Sequence, residues 1–146
     1  AMAYYNHQLN HLSWLESLRL DSVYAPLLNL GDTLLLFDTE HDEIRRFDVD
    51  FKKMETIPIR FHRADGWRKE ILKDTATGRL YAHFTDKGTH VLKRLNLRTF
   101  ESEAVYRLPQ VAYLSHRYQV YNGFLYFLGR ANVNVPNNSL FKVRIG

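Results

Sequence analysis

Short apolar runs alternate with polar punctuation along this chain, and the runs recur. "IRRFDV" begins at residue 44, "LKRLNL" at 92 and "LFKVRI" at 140, the same step apart and superimposable without a gap. Their third positions hold Arg46, Arg94 and Lys142. Their fourth and sixth are apolar in every copy: Phe47 and Val49, Leu95 and Leu97, Val143 and Ile145. Ahead of each stands a glycine-led apolar run: "GDTLLLF" from Gly31, "GRLYAHF" from Gly78 and "NGFLYFL" around Gly123. "PIRF" (58–61) and "VYRL" (105–108) follow the first two. A third copy, "SLRL" (17–20), lies near the N-terminus and puts Arg19, Arg60 and Arg107 in one register.

Each unit predicts four short strands. An edge piece comes first (Tyr24 to Asn29, Lys69 to Lys73, Tyr118 to Tyr121), then the glycine-led strand, the "IRRFDV" strand and the "PIRF" strand. The segments between carry turn chemistry: "TEHDE", "TDKGTH" and "NVNVPNNS" before the third strand, "DVDFK" and "NLRTFE" after it. The alternation has period two, yet "TLLLF" and "FLYFL" are apolar on both faces, as in sheets covered on both sides. Helical periodicity is weak. "LNHLSWLESL" (9–18) is its only candidate, and the match of its end to the outer strands argues for a strand there.

Units of about 45 residues with four antiparallel strands describe β-propeller blades. The expected architecture is therefore all-β: a tail at 1–11, then one domain over 12–146. Its blades span approximately 24–61, 69–108 and 118–146, with 12–20 as the closing outer strand of the third. In the "GRLY…VLKRLNLRTFESEAVYRLP" pattern the chain resembles six-bladed propellers of the TolB-like and NHL-like kind. That resemblance implies half of a six-bladed ring, completed by a second copy in a homodimer or by further blades of a longer chain. A β-trefoil, also built of three four-stranded repeats, is the alternative fold.

Composition adds boundaries. Aromatic residues at 14% favour strands, and the net charge of +4 is scattered, which permits nucleic acid without indicating it. Without cysteine there are no disulfides, thiolate chemistry or cysteine zinc sites. No apolar run approaches the roughly 18 residues of a membrane span. The compartment stays open. Ala1 ahead of Met2 reads as a cloning remnant, so a native start at Met2 goes with the cytoplasm and a trimmed leader with the periplasm or secretion.

Neither a glycine-rich phosphate loop nor a G-x-S-x-G elbow is present, and no cofactor is expected. The seven histidines show no ligand-like spacing except His7 and His11, which read as a solvated tail, so no metal site is assigned. The best candidate for function is a rim built from the connections at 60–70 and 107–119. Arg60, His62, Arg63, Trp67 and Arg68 from the first face Tyr113, His116, Arg117 and Tyr118 from the second. Arginine and aromatic side chains dominate binding hot spots, although Trp67 and Tyr113 would also suit packing between blades. The expectation is a non-enzymatic interaction or scaffold module that binds an acidic peptide, protein or glycan. The alternative is a piece of a larger propeller enzyme or ligand-binding protein whose site needs missing blades.

Overall fold

Antiparallel pairing follows the repeat. The computed structural model describes residues 24–110 and 113–146, with backbone only for Tyr113 and Leu114, and groups their strands into three sheets. The first is a meander of β1 (Leu27–Leu30), β2 (Thr33–Asp38), β3 (Glu43–Asp48) and β4 (Lys53–Pro58). The second repeats it with β5 (Trp67–Lys73), β6 (Leu80–Asp86), β7 (Thr89–Leu95) and β8 (Ser102–Arg107). The third has β9 (Tyr113–Tyr121), β10 (Phe124–Arg130) and β11 (Ser139–Arg144), in the order β11-β10-β9. The sheets are open and separate, and the described residues are all-β apart from a 3-10 turn at Phe61–Arg63. No helix among the described residues is long and apolar enough to cross a membrane. The tail at 1–11 and the closing strand expected at 12–20 lie outside the described residues.

The sheets stack face to face in chain order. Leu35, Phe37, Ile44 and Ile57 of the first sheet meet Leu80, Phe84, Val91 and Leu95 of the second. On its other face, the second sheet packs Tyr81, Leu92 and Leu108 against Val120, Leu125 and Phe127 of the third. The middle sheet is thus buried on both sides, which is why Leu80 to Phe84 of β6 are buried one after another, without alternation.

Two expectations need correction. The fourth strand of the first unit is Lys53–Pro58, so "PIRF" mostly follows the strand instead of forming it. The Ile59 N–H donates to the Asp42 carbonyl, as the Leu108 N–H does to that of His90, which makes Pro58, not Arg60, the counterpart of Arg107. The slip is two residues, and period two hides such a slip because it leaves every side chain on its proper face. Burial of the fourth position also differs among the copies: Leu95 is buried, while Phe47 and Val143 are half-buried. Phe47 lies on the back of the first sheet, away from the second, so no described sheet covers it.

Candidate functional site

The site starts from one hairpin. β6 and β7 are joined by a two-residue turn, Lys87 and Gly88, with φ of 50° and 81°. Two consecutive positive φ angles match the right-handed strand twist, and glycine adopts the second without strain. The turn pairs Thr85 with His90 and His83 with Leu92, so His83 and His90 are diagonal neighbours on one face. Their ring centroids are 5.0 Å apart.

Bulges in the flanking edge strands bring partners to this pair. Lys69 in β5 and Arg117 in β9 occupy equivalent repeat positions, and both have positive φ. The pairing registers of β5 with β6 and of β9 with β10 shift around them. A bulge bends its strand and re-aims side chains. The β9 bulge brings Ser115 and Tyr118, three residues apart, within 2.6 Å of each other. In β5, Glu70 directly follows the bulged residue and meets His83.

The result is a continuous polar chain. Glu70 Oε1 lies 2.9 Å from His83 Nδ1, and His83 Nε2 lies 2.9 Å from His90 Nδ1. His90 Nε2 then faces the Tyr118 hydroxyl at 3.3 Å and Ser115 Oγ at 3.4 Å. A carboxylate only accepts, so with both rings neutral each imidazole carries its proton on Nδ1 and offers Nε2 as an acceptor. His83 is buried, and the pair sits where the second and third sheets meet. Burial holds His90 below the usual histidine range, helped by electrostatic repulsion from His83 and Arg68 and opposed by Glu70. Burial likewise raises the Tyr118 hydroxyl, against the hydrogen bond from Ser115.

A cleft of about 330 Å³ opens at the hydroxyl end. Arg68, His90, Ser115 and Tyr118 line it with Thr85, Thr89 and Gln110, and Leu108, Pro109 and Phe127 add an apolar part. Arg68 has no hydrogen bond or ion pair among the described residues, and it also borders the smaller opening beside Glu70.

The structure divides the expected rim. Arg68, His116, Arg117 and Tyr118 border that smaller opening together. Trp67 instead packs between the first and second sheets, edge-on to Tyr24, Phe61 and His62. His62 Nε2 and Arg63 Nε hold Asp42 Oδ1 at 2.7 and 2.8 Å, so both are engaged within the fold. Arg60 is exposed ahead of the 3-10 turn, and Tyr113 enters β9 opposite Arg130.

Sequence reasoning missed Glu70, His83, His90 and Ser115. The signal was the "HFTDKGTH" run, in which two histidines flank a Lys-Gly turn at a spacing that puts them on one face. Among the described residues, no group of three or more His, Asp or Glu is placed to hold a metal ion. No protein-family model matches the chain, and no curated protein matches it.

Proposed function

We propose that the chain is a non-enzymatic interaction module of the propeller kind, a half-ring of three blades completed by a second copy. The reading rests on how equivalent residues are covered along the stack. Ile44, Leu92 and Leu140 occupy the same repeat position, on the face that each sheet turns toward the next. Ile44 and Leu92 have no exposed surface, whereas Leu140 on the last sheet is 69% exposed. The back face mirrors this. Phe100 is buried against Phe37 of the preceding sheet, while its counterpart Phe51 on the first sheet is 68% exposed. Both ends of the stack thus carry apolar residues that the repeat buries wherever a neighbouring sheet exists. A head-to-tail partner would cover them in the same way, and such contacts close into a ring when the rotation permits.

Three separate meander sheets stacked on one another favour blades of the TolB-like or NHL-like kind over a trefoil. The recognition surface is the cleft between the second and third sheets with its Arg68, which suits an acidic or carbonyl-rich peptide, protein or glycan. The test is the mass of the full chain in solution. Light scattering at micromolar concentration should give twice the monomer mass. A monomer overturns completion by a second copy and favours a piece of a longer propeller.

A further inference from the structure

The polar chain beside the cleft has a proton count with a consequence for binding. With both histidines neutral, one hydroxyl of the Ser115–Tyr118 pair donates to His90 Nε2, and the other donates to the first. Both hydroxyl protons then point inward, and the pair offers the cleft only lone pairs. An anion there would have Arg68 as its one cationic partner in the lining, and would meet only lone pairs from this hydroxyl pair.

A proton on His90 reverses the order. Nε2 becomes a donor to the nearest hydroxyl, that hydroxyl donates to the second, and the second turns its O–H into the cleft. The other ring nitrogen of His90 keeps its hydrogen bond to His83, which Glu70 anchors. One proton thus creates a cation and an outward donor in the cleft that the Arg68 guanidinium also lines. The charged and titratable groups facing His90 are Arg68 and Glu70 from β5, His83 from β6 and Tyr118 from β9. The exposed His116 and Arg117 stand at the adjacent opening.

We propose that this cleft is a proton-gated binding site for a small carboxylate with an apolar body. Arg68 supplies a planar donor fork that matches two carboxylate oxygens, and the reversed hydroxyl supplies a further donor. Leu108, Pro109 and Phe127 receive the apolar body. A volume of about 330 Å³ lies at the small end of the range for ligand pockets, about 300–1,000 Å³. The lining separates the carboxylate from inorganic phosphate, which has no apolar part to bury. The cleft lies within one chain, so its binding can be read whether or not a second copy completes a ring.

Benzoate is the probe. Calorimetric titration of the full chain at about pH 5.5 and about pH 8, on either side of the ordinary histidine value, should show at least about tenfold tighter binding at the lower pH. Titrations near neutral pH in buffers of different ionisation enthalpy should show uptake of up to about one proton per benzoate. Arg68→Gln should abolish binding at both pH values. His90→Gln should leave weak binding that no longer varies with pH. Tyr118→Phe, which breaks the hydroxyl chain without removing the ring, should cut the low-pH affinity and keeps the test available if the histidine variant fails to fold. Equal affinity at both pH values overturns the proposal, as does absence of benzoate binding. So does equal binding of benzyl alcohol, which would make the cleft an apolar groove only. Inorganic phosphate binding as tightly as benzoate overturns the assignment to carboxylates.

Discussion

Asp74 reaches from the end of β5 into the third sheet, where its carboxylate accepts the N–H of Gly123 at 2.8 Å. The same side chain accepts the N–H of Asn122 at 2.8 Å and, within its own turn, those of Ala76 and Thr77. Asp74 is fully buried and ties the β9–β10 turn to the middle sheet. Gly123 has a φ of 78°, and an added Cβ would meet the Gly146 carbonyl at 2.5 Å, so the clamp requires glycine there. Hydrogen bonds to a charged group contribute about 1.5–3 kcal/mol each. Asp74→Asn should therefore cost about 2 kcal/mol in urea unfolding, and Asp74→Ala more. A loss under about 0.5 kcal/mol would mean that the two sheets dock without the clamp.

The same carboxylate predicts acid sensitivity. Burial raises its pKa, but the N–H donors of Gly123, Asn122 and Thr77 outweigh that and hold it below the usual carboxylate range. A folded value below the unfolded one, about 3.9, gives stability that is complete above the unfolded value and lost as pH falls through the folded one. Unfolding curves from about pH 5 down to about pH 2.5 should show this loss in the wild type and a flatter profile in Asp74→Asn. Parallel profiles would show that other carboxylates carry the acid response.

His90 makes a second, milder pH window. Its folded value lies below the unfolded one of about 6.5, chiefly through burial. Stability from the neutral ring is thus complete above about pH 6.5 and declines as pH falls through the folded value, by no more than about 1.4 kcal/mol per pH unit. Melting temperatures of the wild type should fall between about pH 7.5 and about pH 5.5, and His90→Gln should remove most of that slope. A carboxylate in the cleft should restore part of the acid loss, since it binds the protonated form.

Leu95 tests the core. It is 1% exposed and faces Leu80 across the β6–β7 pair. Leu95→Ala should cost about 2–4 kcal/mol, as buried truncations do. Val143 occupies the equivalent place in the third sheet but is half-buried, so Val143→Ala should cost about 1 kcal/mol or less. Equal costs would contradict the difference in burial.

The repeat was legible because the third strands keep one spacing, and Ile44, Leu92 and Leu140 stay in phase from copy to copy. The fourth strand of the first unit is displaced by two residues from its expected register for a reason built into β-structure: a shift of two preserves the apolar face, so only hydrogen bonds such as Ile59 to Asp42 reveal it. The site was harder to see. Linking His83 with His90 needed the two-residue turn, which was readable, but joining Ser115 to Tyr118 needed a bulge at Arg117, an arginine with positive φ that no composition rule signals. Arg68 and Tyr118 were recognised as candidates from their residue types. The rest of the expected rim was divided because Trp67 has an aromatic cluster to fill and Asp42 engages His62 and Arg63.

Leu140 carries the last prediction. It lies opposite Leu128 in the β10–β11 pair, on the face of the third sheet turned away from the second. Lys142 rests over the rings of Phe124 and Tyr126 on this face, so the surface around Leu140 is apolar with one cation. In the two preceding sheets the equivalent leucine and isoleucine are buried by the next sheet. If a second copy takes that place, its first sheet brings Phe51 and Leu27, both exposed in the single chain, to the same junction. A charge at Leu140 then has to be desolvated inside the junction, a cost that the neighbouring Lys142 offsets only in part. Leu140→Asp should make the full chain monomeric at concentrations where the wild type is dimeric. Its effect on monomer stability should stay within about 0.5 kcal/mol, because exposed positions tolerate such changes. Phe51→Asp, on the opposite end of the stack, should do the same. Val133→Asp, at an equally exposed residue in the β10–β11 connection, should leave the mass unchanged. If wild type and Leu140→Asp have the same mass, the outer face of the third sheet is not where copies meet.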